Sequence, residues 1–248
     1  MTSQPPTSPI DEQEKQYRLP YHWFPEQRLP RFFREEKQRI IFELISRNGP
    51  PSIGRYLDFG CGDGRWTSDV FDHLAGDTRA FGVDISERAI AFARLITPEI
   101  DFRAYDGNRL PFEAGSFDLI TAIEVIEHVP DEVETALLEE IRRVLAPGGL
   151  LVLTTPSWNL KMPTHHFRHY SQERLSALLE SSGFEVLEFR GHGRRCEGAR
   201  LKLRKYMNRL PFVWKLWKRT QRETTPNKAI DLLVAARAPS SPRGSGDE

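Results

Sequence analysis

The apolar run Tyr56-Leu57-Asp58-Phe59 breaks into Gly60-Cys61-Gly62-Asp63-Gly64, and few folds accept such a junction. Glycines set one residue apart let a chain turn sharply and let a ligand approach main-chain N–H groups. A strand that ends this way and leads into a helix belongs to open α/β sheets, where ligands bind outside the carboxyl ends of the strands. The dinucleotide fingerprint G-x-G-x-x-G needs a third glycine at position 65 or 67. Those positions hold Arg65 and Thr67, so the loop is one residue too short and a dinucleotide is the weaker reading.

The chain on either side keeps the alternation. RYLDFG, RAFGVDIS, DFRAYD, FDLITAIE and LLVLTTP read as five successive strands, and FEVLEF and AIDLLVAARA as two more. Between them, Ser86 can cap a helix through Leu95, and Ser171 one that ends at Gly183. Asp131 and Glu134 have capping-box spacing before a helix that Pro147-Gly148-Gly149 stops. Strands alternating with helices, in apolar runs, predict an α/β domain with a mostly parallel sheet covered on both faces.

This domain is assigned to residues 51–238. Residues 17–50 precede it as an aromatic and helical cap: Tyr21, His22, Trp23 and Phe24, then a helix carrying Phe33, Ile40, Ile41, Leu44 and Ile45 on one face. Residues 1–16 and 239–248 are polar, Pro/Ser-rich tails expected to be disordered. Apolar and aromatic residues make up 39% of the chain, enough to fill one sizeable core. A mean hydropathy of −0.51, no apolar run near the roughly 20 residues of a membrane span, and two cysteines predict a soluble, cytoplasmic protein without disulfides. Lys+Arg and Asp+Glu both number 35, so the overall balance selects no partner. The charge is uneven, however. Between Arg194 and Arg222 lie eleven basic residues and one acid, Glu197, with Tyr206, Trp214 and Trp217 at helical spacing. The 192–228 segment therefore reads as a basic amphipathic insertion. It suits a lid, an anionic substrate, nucleic acid or peripheral contact with a membrane surface.

Acidic residues stand at the strand ends in register with the glycine loop: Asp58 before it, Asp84 ending the second strand, and Asp106 ending the third, followed by Gly107 and Asn108. A carboxylate at Asp84 can accept hydrogen bonds from both hydroxyls of a ribose. Asp106 is placed to meet an adenine amino group.

YLDFGCGDGRW, FGVDIS, DGNRLPFEAGSFDLITAIEVIEHVPD, RRVLAPGGLLVLTTPSWN and HHFRHYSQERLSALLESSGFEV follow one another in an order and spacing that resemble class I S-adenosylmethionine-dependent methyltransferases. The branch that includes the ubiquinone-biosynthesis and sugar methyltransferases looks most similar. The resemblance covers about residues 55–190. It implies a Rossmann-like seven-stranded sheet with an antiparallel final strand, and S-adenosylmethionine as cofactor. Asp58, Gly60, Gly62 and Gly64 would approach its methionine part, Asp84 the ribose, and Asp106, Gly107 and Asn108 the adenine. Cys61, Ile85 and Ile123 complete the set beside the cofactor, Cys61 as a small packed residue and not a nucleophile.

Glu124, Glu127 and His128 in EVIEHV are spaced i, i+3 and i+4, which in a helical turn shares one face, and His165, His166 and His169 lie after the fifth strand. Three roles stand open for Glu124, Glu127, His128 and His166: ligands of Mg²⁺ or Mn²⁺, a general base at His128, or scaffold. The stretch TPSWN…HHFRHYS is also similar to small-RNA 3′-terminal 2′-O-methyltransferases. Phe167-Arg168-His169 departs from the acidic-aromatic pattern of that family. The acceptor is expected to be a hydroxyl or amine of a small or lipid-linked metabolite. RNA 2′-O-methylation and a cofactor-binding but inactive scaffold are the alternatives.

Overall fold

The computed structural model describes residues 14, 17–24, 27–74, 76–163, 166–194, 215, 217 and 224–240. Except for Glu14 and residues 239–240, both expected tails lie outside the described residues. So do His165 and most of the basic 192–228 segment.

Seven strands form one sheet: β1 (Arg55–Phe59), β2 (Arg79–Asp84), β3 (Asp101–Ala104), β4 (Phe117–Ile123), β5 (Leu145–Pro156), β6 (Glu185–Arg194) and β7 (Ala229–Arg237). Their order is β3-β2-β1-β4-β5-β7-β6. The pairings from β3 through β5 are parallel. β7 runs antiparallel between β5 and β6, as the resemblance implies. The sheet order reverses between β1 and β4, so the carboxyl ends of β1, β2 and β4 open onto one crevice.

Five helices connect the strands among the described residues: α1 (Arg28–Asn48), α2 (Arg65–His73), α3 (Glu87–Ile96), α4 (Glu134–Val144) and α5 (Gln172–Ser181). The caps at Ser86 and Ser171 form as read, their hydroxyls accepting from Ala89 N and Arg174 N. The core has two halves, one on each face of the sheet. Leu57, Phe117, Ile120, Leu151 and Val234 share one face with Ile141 and Leu175 of the helices. Tyr56, Leu119, Val152 and Leu233 share the other with Ile40, Ile41 and Leu44. The predicted cap thus divides in two. Its helix, α1, is a structural layer packed across β5, β7 and β6, while residues 17–24 lie at the glycine loop. No helix among the described residues is long and apolar enough to cross a membrane.

Three local expectations are corrected. Asp131 caps nothing: α4 begins at Glu134 behind a 3₁₀ turn, with no side-chain cap, because the Asp131 carboxylate is engaged by Arg168. β5 starts at Leu145, before the Pro147-Gly148-Gly149 stop and not after it. Leu145 pairs with Phe117, and the register shifts before Leu150 pairs with Leu119, so the glycines make an irregularity inside a strand. Finally, His192, Gly193 and Arg194 belong to β6, so the basic insertion begins later than position 192.

Candidate active site

The glycine loop is held from β2. Gly60 N and Cys61 N both donate to Val83 O, at 2.8 and 2.9 Å. Gly60, Gly62 and Gly64 all take positive φ, which only glycine adopts without strain. A Cβ on Gly60 would lie 2.4 Å from Val125 Cγ2, so the loop also packs on the turn after β4. Asp84 accepts from Gly62 N (2.8 Å) and Ser86 N (2.9 Å). Its carboxylate therefore shapes the loop in addition to any ribose contact, and burial raises its pKa.

Asp58 is buried beneath the loop, accepting from Thr67 Oγ1 and Thr121 Oγ1, both at 2.7 Å. Burial pushes its pKa up to about 6, against the lowering by these two hydroxyls. Cys61 is buried, and burial together with Asp84 raises its thiol well above the ordinary range, which leaves it unreactive. Asp106 is exposed and caps its own turn, accepting from Asn108 N (3.0 Å) and Asn108 Nδ2 (3.1 Å). A Cβ on Gly107, at φ +85°, would lie 4.0 Å from Ile85 Cγ2, an ordinary van der Waals contact. Ile123 is buried at the end of β4.

The N-terminal aromatic residues lie on this loop. Tyr17 is 6% exposed, and its hydroxyl would be 2.2 Å from a Cβ on Gly62. Burial, then the Asp84 charge, raises the Tyr17 pKa. Tyr17 stacks on Tyr21 with ring centroids 5.4 Å apart. Asp63 is fully buried: it accepts from His22 N at 3.1 Å, faces His22 Nδ1 at 3.0 Å, and its carbonyl accepts from Trp23 Nε1 at 2.9 Å. Farther along, Glu14 accepts from Ser86 Oγ at 2.8 Å. Asp63 went unnoticed in the sequence because an Asp inside a glycine turn reads as a turn former.

Beyond β4 the predicted shared helical face is not formed. Glu124 has φ +57°, the one non-glycine residue with positive φ among those described, and only Ile126–His128 make a 3₁₀ turn. Glu127, His128 and His166 come together, their donor atoms within 4.8 Å of one another. Glu124 is not part of that group, because Thr154 Oγ1 (2.8 Å) and Lys37 Nζ (3.0 Å) take its Oε1.

Glu127 is fully buried. Its Oε2 accepts from Thr155 Oγ1 at 3.0 Å, and its Oε1 has no hydrogen-bond partner. Burial, then the Glu124 charge, raises its pKa well above the ordinary range. The His128 and His166 rings meet edge to face at 4.7 Å. His166 Nδ1 lies 2.9 Å from His169 Nε2, and His169 Nδ1 lies 3.1 Å from Leu160 O. A carbonyl only accepts, so His169 Nδ1 carries the hydrogen and its Nε2 accepts from His166 Nδ1–H. Arg168 holds this turn from behind, donating to Ile126 O at 3.3 Å and Val129 O at 2.5 Å and pairing with Glu134. That gives a structural reason for arginine at the position where the sequence departs from the RNA enzymes.

The residues present fit a nucleoside cofactor with an amino-acid end: three left-handed glycines, a buried carboxylate at the end of β2, and an aromatic cover. The three-residue cluster is a candidate for a divalent ion only with some rearrangement. Ligand atoms around one ion stand at most about 4.2 Å apart given bonds of about 2.1 Å, so a contraction of under 1 Å is needed.

A family model described as a methyltransferase domain matches residues 33–189. The chain is 33% identical over 167 residues to a protein of Mycolicibacterium smegmatis named "Probable S-adenosylmethionine-dependent methyltransferase". That match covers 63% of this chain and 62% of the relative, so the chain spans a little under two thirds of its length. It is 30% identical over 175 residues to the ubiquinone biosynthesis O-methyltransferase of Xanthomonas axonopodis pv. citri, covering 61% of this chain and 71% of that protein. Among solved structures, an S-adenosylmethionine-dependent methyltransferase from Mesorhizobium loti superposes with a TM-score of 0.55 at 21% identity, over 82% of this chain and 97% of the other. Phosphoethanolamine N-methyltransferase 2 of Haemonchus contortus, in complex with S-adenosyl-L-methionine, superposes with a TM-score of 0.59 at 17% identity, over 94% and 60%. At those identities the two structures speak for the fold alone.

Proposed function

The chain belongs to the class I S-adenosylmethionine-dependent methyltransferases, and from that premise we propose that it methylates a hydroxyl or amine of a small or lipid-linked metabolite, with His128 as general base. The observation that carries the assignment of the base is the ordered series His128, His166, His169 and Leu160 O, after the turn whose Val125 packs on Gly60. S-adenosylmethionine supplies an electrophilic methyl group on a sulfonium. The chain's own residues then have to align the acceptor, exclude water and remove one proton. His128 takes the proton that the acceptor loses, with the His166 ring edge to face against it. Burial disfavours the charged form of Glu127 and raises its pKa. Tyr17, Tyr21 and Trp23 are suited to cover the cofactor and keep the site dry.

The same three donors support a second reading, in which Glu127, His128 and His166 hold Mg²⁺ or Mn²⁺, which would polarise an acceptor hydroxyl. The test starts from methyl-labelled S-adenosylmethionine and a cell extract separated into small-molecule, lipid and RNA fractions. Label in the small-molecule or lipid fraction is expected. Label in RNA alone overturns the acceptor class and favours RNA 2′-O-methylation. No label in any fraction favours the inactive scaffold. With the labelled acceptor in hand, His128→Ala should lower the rate by about 10²–10⁴ with S-adenosylhomocysteine affinity unchanged and no effect of chelator. Activity abolished by chelator and restored by Mn²⁺ moves the assignment to the metal.

A further inference from the structure

The turn after β4 is held by a charged chain that does not belong to the catalytic cluster. Lys37, from the middle of α1, has a side chain only 12% exposed and lies 3.0 Å from Glu124 Oε1 and 3.2 Å from Asp231 Oδ2. Asp231, at the start of β7, also faces the fully buried His192 at the end of β6, with His192 Nδ1 at 2.9 Å. Phe33, one turn of α1 before Lys37, stands edge-on to the His192 ring at 5.5 Å. Burial opposes a charge on Lys37, but Asp231 and Glu124 outweigh it and keep the ammonium protonated.

Glu124 occupies a backbone conformation that costs any residue with a Cβ free energy and persists only where its surroundings impose it. Its side chain has two described partners, Thr154 and Lys37. The next residue, Val125, is the one against which Gly60 is packed. A change in the Glu124 turn therefore reaches the glycine loop through a contact with no room to spare.

We propose that Lys37, steadied by Asp231 and His192, is a positioning residue that holds Glu124 in its left-handed conformation and thereby sets the cofactor loop. The inference rests on the methyltransferase reading, since the loop's ligand comes from it. α1 is then coupled to cofactor binding.

Glycine takes a positive φ freely, and this yields a test that needs no methyl acceptor. S-adenosylhomocysteine affinity is measured by calorimetry for wild type, Lys37→Met, Glu124→Gly and the double variant. Lys37→Met should bind at least tenfold more weakly. Adding Glu124→Gly to it should bring affinity back to within threefold of wild type, because glycine supplies the backbone conformation without the ion pair. A purely structural lysine would lower the melting temperature, leave affinity alone, and gain nothing from the glycine. Where Lys37→Met does not fold, Lys37→Met/Asp231→Asn removes one charge of each sign and carries the same expectation. Affinity within threefold of wild type for the lysine variant overturns the proposal, and so does a double variant as weak as the single one. A wild-type protein that does not bind S-adenosylhomocysteine refutes the cofactor reading itself, a result distinguishable from either.

Discussion

Asp58 offers a measurement of what the buried floor of the site costs. Its carboxyl group is fully enclosed and its pKa stands at about 6, against an ordinary 3.8. The sign follows from linkage: the folded state holds this proton more tightly than the unfolded chain does. Below the unfolded pKa both states are protonated and no penalty exists. As pH rises through the interval the unfolded chain ionises first, and folding must carry the burial of an anion. The displacement is about two units at roughly 1.36 kcal/mol each, so the full penalty is about 3 kcal/mol above pH 6. About 2 kcal/mol of it develops between pH 4.5 and 7. Asp58→Asn keeps the shape and removes the charge, and its amide can accept from one of Thr67 and Thr121 and donate to the other. Urea denaturation of both proteins, without cofactor, at pH 4.5, 5.5, 6.5 and 7 gives the comparison. Wild type should lose about 2 kcal/mol relative to Asp58→Asn over that range. Parallel stabilities, differing by less than 0.5 kcal/mol across it, would refute the raised pKa of the buried Asp58 carboxyl group. Such a result would place the folded pKa near its ordinary value.

Two further substitutions probe the walls around that floor. Gly60→Ala forces a Cβ to within 2.4 Å of Val125 at φ +72°. S-adenosylhomocysteine affinity by calorimetry should fall at least tenfold and recover in part with Val125→Ala, which relieves the clash but not the φ; undiminished affinity contradicts the contact. Arg168→Met removes a donor from Ile126 O and Val129 O and a buried cation from Asp131 and Glu134, at a cost of about 3–5 kcal/mol. In a chain of this size that lowers the melting temperature by roughly 10 °C, and a shift below 2 °C in a thermal scan would show that the arginine is not structural.

The glycine-loop half of the candidate site was legible because its signals are local. Three glycines and Asp84 lie within one strand–loop–helix–strand unit, and glycine spacing reports backbone conformation directly. The transfer half was half legible. Glu127, His128 and His166 were found from residue type, but helical spacing wrongly included Glu124, since a single left-handed residue interrupts the helix and leaves no mark on the spacing. Lys37, Asp231 and His192 were not found at all. A lysine in an amphipathic helix among Arg34, Glu36 and Arg39 reads as a solvated face. An Asp opening an apolar strand reads as a turn residue. Their pairing exists only because the sheet order brings β7 alongside β5 and lays α1 across both. Asp131 was misassigned for a related reason, since a distant arginine outcompeted the local cap.

The placement of β7 also bears on how the sheet can assemble. β7 follows every other strand in the chain, yet it sits inside the sheet, with β5 on one side and β6 on the other. Until residues 229–237 have been synthesised, β5 is an edge strand with a run of buried aliphatic residues, and β6 has no neighbour among the described strands. A ribosome-bound or truncated chain lacking β7 would therefore expose the long, flat, apolar edge that promotes pairing between molecules. When β7 inserts, it brings Asp231 to Lys37 in the same event. Completion of the fold and completion of the charged chain behind Glu124 are thus one step, and a nascent chain should acquire its cofactor site only at the end.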